Sequence, residues 1–292
     1  MTPLQAIILG LVEGITEYLP VSSTGHLILA AAFLKLDDPS VKSSVDAFNI
    51  VIQGGAILAV LGLYFPRVLS MLRGLVGKDR NGFRLALNIL IAFIPAAILG
   101  VLLDDWISSR LFSPGPVIAA LIVGGVYMIA LDVWRKRKFP QAKEGEPQPG
   151  LDIKDLTPSK ALFIGLVQCI AMWPGTSRSM MTITGGVMTG LRPAQAAEFS
   201  FLLGLPTLGG ACCYKLLKNL KNASDSGQPN LFEQLGYLPV FLGILVAAAS
   251  AALAVKWLVG FLNRHGLTPF GIYRILLGVL LGALVLADIV RF

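Results

Sequence analysis

Long apolar runs alternate along the chain with short polar breaks. Six of the runs are long enough to cross a bilayer, which takes about 20 apolar residues as a helix. They cover Ala47–Phe65, Leu85–Leu103, Val117–Trp134, Phe199–Tyr214, Tyr237–Val259 and Phe270–Ala287. The fourth is short, and Pro206 interrupts it. Asp132 and Asp288 fall at span ends, where a charge can reach the interface.

Two further apolar regions are broken in the middle. Leu4–Val12 is followed by EGITEYLPVSSTGH (Glu13 to His26) and then by apolar Leu27–Leu34. Ala161–Val167 is followed by QCIAMWPGTSRS (Gln168 to Ser179) and then by Met180–Met188. Each arm is about half a bilayer long. Prolines, hydroxyls and ionisable groups at membrane depth are tolerated only against protein or a water-filled cavity. Both regions therefore read as re-entrant helix–turn–helix hairpins that enter and leave on one side.

The two halves resemble each other. Gly10-Leu11-Val12-Glu13 matches Gly165-Leu166-Val167-Gln168 at an offset of 155, and Pro20-Val21-Ser22-Ser23 matches Pro174-Gly175-Thr176-Ser177 at 154. Phe48 and its run match Phe199 and its run at 151, and Ser113-Pro114 matches Thr268-Pro269 at 155. Four matches in order at a nearly constant offset indicate an internal repeat. Residues 1–134 form the first repeat, 135–160 a polar linker with KEGEPQPG at its centre, and 161–292 the second repeat. Three spans per half is an odd number, so the second half is inverted. The expected fold is an all-α integral membrane protein, each half one re-entrant hairpin plus three transmembrane helices. Such inverted repeats place their site at the repeat interface near the midplane.

Composition agrees. Of 292 residues, 55% are hydrophobic and only 14% charged, against about 25% charged in soluble domains. The mean hydropathy is +0.73. Cys169, Cys212 and Cys213 are odd in number and lie in apolar stretches, which excludes a disulfide scaffold, and with two histidines they exclude a zinc finger or ribbon. No Lys or Arg precedes Lys35, so the first residues lack the basic region of a signal peptide. The net charge of +7 lies in loops rather than on a nucleic-acid face. Fourteen Lys and Arg, from Arg67 to Arg84, Arg135 to Lys160, and at Arg192 and Arg264, fall on one side of the six-span arrangement. Seven fall on the other: Lys35, Lys42, Arg110, Lys215, Lys218, Lys221 and Arg291. The richer side is expected in the cytoplasm, with both termini outside. Arg178, Lys256 and Arg274 lie within or at the ends of apolar segments and take no part in that comparison.

Glu13 and Glu17 are four apart and share a helix face. Intramembrane carboxylates are functional-site candidates by default, and this pair offers hard oxygen ligands for Mg²⁺ or Ca²⁺. The bland role for them is capping broken backbone. Ser22, Ser23 and Thr24 precede the second half-helix, where a hydroxyl caps the N-terminus and free N–H groups face an anion. His26 follows one turn later, and His265 reads as structural. Arg178, between Ser177 and Ser179, needs an anion. It either pairs with Glu13 or Glu17, or presents its planar fork to phosphate. Carboxylates, hydroxyls, a histidine and an arginine from two turns compose a metal–diphosphate site. Trp173, Met180 and Met181 read as packing residues.

EGITEYLPVSSTGH and PGTSRSMMT resemble the two signature motifs of the bacterial undecaprenyl-diphosphate phosphatases, also called bacitracin resistance proteins. The resemblance covers the whole chain, including FNIVIQGGAILAV after the first motif and AAEFSFLLGLP after the second. It implies an enzyme of the bacterial inner membrane that hydrolyses undecaprenyl diphosphate to the monophosphate, recycles the carrier for peptidoglycan precursors, confers bacitracin resistance and works at the outer face. The family's acidic motif falls on Glu13 and Glu17, its serine–histidine stretch on Ser22, Ser23 and His26, and its arginine motif on Ser177, Arg178, Ser179 and Thr182. Met180-Met181 departs from it, since the family often has a small residue there. In this reading a divalent cation on Glu13 and Glu17 neutralises the diphosphate and Arg178 stabilises the transferring phosphoryl group. The nucleophile is open between a water activated by His26, His26 itself and Ser23. The alternative from another class is a lipid-phosphate flippase or anion transporter built on the inverted repeat. Membrane lipids are the other expected partners, and a homodimer is compatible with the sequence.

Overall fold

The first helix begins with a reciprocal cap. Thr2 Oγ1 accepts from the Gln5 N–H, Gln5 Oε1 accepts from the Thr2 N–H, and Pro3 fills the first helical position. The computed structural model describes residues 1–37, 39–138, 149–226 and 235–290. Those residues hold α-helices, two short 3₁₀ turns and one isolated parallel bridge between Leu151 and Leu191.

The first broken region folds as α1 (Pro3–Glu17), a turn and α2 (Ser23–Phe33). Then come α3 (Pro39–Leu63), α4 (Phe65–Leu75), α5 (Arg80–Arg110) and α6 (Pro114–Lys138). The second broken region gives α7 (Pro158–Cys169), a turn and α8 (Arg178–Met188). The remaining helices are α9 (Pro193–Ser226), α10 (Tyr237–His265) and α11 (Thr268–Leu286). Among the described residues, six helices (α3, α5, α6, α9, α10 and α11) are long and apolar enough to cross a membrane. They match the six spans read from hydropathy, except that α3 stops at Leu63, short of Phe65, and α11 at Leu286, short of Ala287.

Three features differ from the sequence reading. Helix α9 continues through Pro206, where hydropathy suggests only a short span. The break is tolerated because Thr207 Oγ1 donates back to the Leu203 carbonyl, 2.8 Å away. Helix α4 is too short and too charged to read as a span, so apolar-run length does not reveal it. The Asp132 side chain, at its span end, is turned into the protein. It is 1% exposed and accepts from the Thr268 hydroxyl at 2.6 Å, the Thr268 N–H at 3.3 Å and Lys136 Nζ at 3.0 Å, which caps α11. Of the linker, residues 139–148, including Lys143, lie outside the described residues, as does Arg291.

Matching positions recur at a spacing of 155. Thr2-Pro3 and Thr157-Pro158 open α1 and α7, and α2 and α8 are both eleven residues long, from 23 and from 178. Each of these two ends two residues before a left-handed position, Lys35 (φ 55°) or Gly190 (φ 97°). The spacing pairs Ser22 with Ser177, one residue away from the Ser22–Thr176 match that motif alignment gives. Packing crosses between the halves. Helix α1 lies on α10 and α7 on α5, while α3 meets α9 and α6 meets α11. Close approach needs glycine: a Cβ on Gly271 would stand 2.7 Å from the Gly125 carbonyl oxygen.

Candidate active site

Two serines shape the turns. Ser22 (φ 75°) and Ser177 (φ 76°) hold a left-handed backbone that strains any residue but glycine. Each compensates by capping its helix: Ser22 Oγ accepts from the Gly25 N–H at 3.5 Å, and Ser177 Oγ from the Met180 N–H at 3.3 Å. The two half-helices thus begin with Ser23 and Arg178 in equivalent places.

Both opening residues converge on Glu17, the last residue of α1. Arg178 Nη2 donates to Oε1 at 3.2 Å and Ser23 Oγ to Oε2 at 2.8 Å. Gln53 Nε2, from α3, reaches Oε2 at 3.5 Å. Arg178 Nη1 donates to the Ser200 carbonyl at 2.9 Å, its guanidinium lies 5.2 Å from the Tyr18 ring centroid, and its Nε has no partner. Gly204 leaves room for that group, since a Cβ there would stand 3.1 Å from Nη1. The ion pair is nearly buried, with side chains 10% and 5% exposed. One turn earlier on α1, Glu13 is 1% exposed. Its Oε1 is buried without a hydrogen-bond partner among the described residues.

A divalent cation fits this carboxylate pair. Glu13 keeps an oxygen that no protein donor satisfies, and both side chains are hard oxygen donors on one face. Among the described residues no group of three His, Cys, Asp or Glu side chains converges. Magnesium needs no such group, because it commonly takes one or two carboxylates and completes its shell with phosphate oxygens and water.

The other sequence candidates are placed as follows. Ser179, fully buried, donates to the Leu19 carbonyl at 2.7 Å and so ties the second turn to the first. Thr182 Oγ1 bonds Ser200 Oγ at 2.6 Å and the Arg178 carbonyl at 2.9 Å. These two hydroxyls are engaged inside the protein and hold the Arg178 turn. His26 is half-buried and is not among the partners of Glu17 or Arg178. Its Nδ1 faces the Ser22 carbonyl at 2.7 Å and so carries the proton, which leaves Nε2 to accept from the Tyr273 hydroxyl at 2.6 Å. The two rings stack with centroids 5.6 Å apart. Met180 and Met181 are buried core residues. Trp173 is 42% exposed and donates to the Pro116 carbonyl at 3.0 Å. His265 stacks on Phe261 with centroids 4.4 Å apart.

Sequence reasoning missed Gln53, Ser200, Tyr273 and Arg274. Gln53 and Ser200 lie inside the two apolar runs that follow the motifs, where a lone polar residue was the available signal. Arg274 carried a stronger one, an ionisable group inside a span.

The family model for bacitracin resistance protein BacA matches residues 6–280. An undecaprenyl-diphosphatase of Sorangium cellulosum (strain So ce56) is 46% identical over 276 residues, covering 94% of this chain and 84% of the relative. One from Deinococcus radiodurans is 41% identical over 289 residues, covering 99% and 97%. One from Acidovorax ebreus (strain TPSY) is 42% identical over 279 residues, covering 94% and 92%.

Proposed function

The chain belongs to the bacitracin resistance protein BacA family, and from that premise we propose how its two hairpins carry out the undecaprenyl-diphosphatase reaction. The enzyme hydrolyses undecaprenyl diphosphate to undecaprenyl phosphate and inorganic phosphate, which recycles the lipid carrier and gives resistance to bacitracin. The observation that carries the reading is the meeting of Ser23 and Arg178, from two separate turns, on the one carboxylate of Glu17.

Each group has a role in this reading. Glu13 and Glu17 would hold a divalent cation, which would supply positive charge to neutralise the diphosphate. Arg178 swings its fork from Glu17 and the Ser200 carbonyl to the terminal phosphoryl group, where fixed positive charge stabilises the transition state. The N–H groups freed at the starts of α2 and α8, behind Ser22 and Ser177, receive phosphate oxygens. Ser179 and Thr182 keep the Arg178 turn in place. Of the three nucleophile routes, the geometry favours Ser23. Its hydroxyl proton already points at Glu17, whereas His26 Nε2 is held by Tyr273. Ser23 Oγ attacks the terminal phosphorus, its proton passes to Glu17, and the bridging P–O bond breaks to release the lipid monophosphate. Water then cleaves the phosphoserine, giving inorganic phosphate and returning the proton to Ser23.

The membrane arrangement belongs to the same proposal: two inverted repeats, residues 1–134 and 161–292, with both hairpins re-entrant from opposite sides of the bacterial inner membrane. The matching caps 155 residues apart and the crossed packing of α1 on α10 and α7 on α5 support it. The loop charges support termini outside, and the site then opens to the outer face.

Phosphate release from a lipid diphosphate by purified protein in detergent micelles, with and without chelator, tests the reading. Chelator-sensitive release supports hydrolysis. Absence of release alongside transport in vesicles would favour the flippase or transporter alternative, because micelles offer no membrane to cross.

A further inference from the structure

Arg274, on α11, is a fully buried charged side chain with 0% exposure. Its Nη2 donates to two backbone carbonyls, Ala120 at 2.9 Å and Gly175 at 2.9 Å. Among the described residues Nε and Nη1 are buried without a partner. Among the described ion pairs none includes Arg274. The fold makes space for this cation, since a Cβ on Gly124 would stand 2.6 Å from Nη2. A guanidinium buried in an apolar bundle without a counter-charge is destabilising by itself, and such groups in spans mark ion or substrate sites.

Its position points to the ligand. Gly175 lies in the turn from which Ser177 and Arg178 start α8. On the other hairpin, Tyr273, the neighbour of Arg274 on α11, donates to His26 Nε2 at 2.6 Å. Arg274 therefore approaches from α11 the same two turns whose opening residues meet on Glu17. A diphosphate carries charge on two phosphoryl groups, and Arg178 with its fork serves one. The structure assigns Arg274 as a second diphosphate-binding arginine, whose unpartnered N–H groups take the phosphate that stays on the lipid. This rests on the diphosphatase reading above. The phosphate that remains with the lipid gains little charge in the transition state, so the contact is made equally in ground and transition states and acts on KM.

Two variants test it. Arg274→Met keeps length and loses the charge. Arg274→Gln also loses the charge but keeps an amide donor for the Gly175 carbonyl. Each is compared with wild type in detergent for thermal midpoint with and without inorganic pyrophosphate, and for kinetics on a short-chain prenyl diphosphate. The expected result is a midpoint shift by pyrophosphate that is present in wild type and lost in both variants. KM should rise about 10- to 100-fold, as for loss of one charge-assisted contact, with kcat within about threefold. Unchanged KM and an unchanged pyrophosphate shift in either folded variant overturn the assignment. So does a lowered midpoint with wild-type KM in the folded fraction, which would make Arg274 only a staple for Gly175. The two readings fail separately. Wild type that releases phosphate with an Arg274-independent KM sinks the second arginine alone. Wild type that binds pyrophosphate through Arg274 but releases no phosphate sinks hydrolysis alone.

Discussion

Ser23 and Arg178 occupy the same place in two hairpins and donate to different oxygens of one carboxylate, Glu17. The equivalence is positional and not chemical. One half contributes a hydroxyl where the other contributes a guanidinium, so two structurally matched turns make one asymmetric site. Glu13 and Glu17 come only from the first half, because Gln168 and Met172 stand 155 residues later.

Arg178→Lys should fold and lose about 100-fold or more in turnover. The lysine keeps a charge for Glu17 and so avoids the roughly 3–5 kcal/mol that an abandoned buried carboxylate costs. It cannot reach both Glu17 and the Ser200 carbonyl, nor offer phosphate a planar fork. Thermal midpoint and phosphate release measured on one preparation decide the matter. Early melting with normal turnover in the cold would make the ion pair structural, and a stable variant with normal turnover would defeat both roles.

Glu13→Gln and Glu17→Gln should separate two functions of the acidic pair. Glu13 Oε1 has no protein donor, so Glu13→Gln should leave the thermal midpoint unchanged. The divalent cation concentration for half-activity should rise at least about tenfold. Glu17→Gln also weakens bonds to Arg178 and Ser23, and should abolish activity. Full activity of purified Glu17→Gln would remove the carboxylates from the mechanism.

Ser23→Ala should lose about 1000-fold in turnover if the serine carries the phosphoryl group, by analogy with the loss of an activated nucleophile. A phosphorylated Ser23 trapped from wild type by acid quench is the direct check. Retention of more than a tenth of wild-type turnover by Ser23→Ala would hand the attack to water.

Packing is testable at the α6–α11 crossing. Gly271→Val should destabilise by at least about 1–3 kcal/mol, because the added atoms meet the Gly125 backbone, which cannot move aside. Gly282→Val, where the nearest atom to a new Cβ is 3.9 Å away, is the matched control and should be tolerated. Equal midpoints for the two variants in detergent would contradict the crossing.

One acid-labile contribution lies outside the spans. The Gly82 N–H, 2.9 Å away, and then the Ser70 hydroxyl, 2.6 Å away, hold the Asp79 carboxyl below the usual carboxylate range. A lowered folded value means that the stabilisation is fully present above the unfolded value of about 3.9 and is lost as pH falls through the folded one. The midpoint difference between wild type and Asp79→Ala should therefore be flat between about pH 5 and 8 and shrink below about pH 4. A difference that grows on acidification would reverse the sign.

The sequence by itself determined the helical class, the six membrane-length helices and the two broken regions. These follow from hydropathy and from local caps, which act over a few residues. Thr2-Pro3, Pro158, Ser22 and Ser177 set helix starts wherever the chain packs. It also singled out Glu17, Ser23 and Arg178, because polar groups in an apolar stretch are conspicuous. Only the tertiary structure decided which of them touch. Glu17 and Arg178 are separated by 161 positions, and their contact depends on α1 lying on α10 and α7 on α5. It likewise turned Asp132 into a buried cap for Thr268, set His26 against Tyr273 and not against Glu17, and buried Arg274 with no counter-charge among the described residues. Those outcomes depend on which side of one helix faces which neighbour at close range, and that is fixed by packing small residues such as Gly125 and Gly271 against backbone. Local pattern is legible one helix at a time, whereas partners arise only when the helices are assembled.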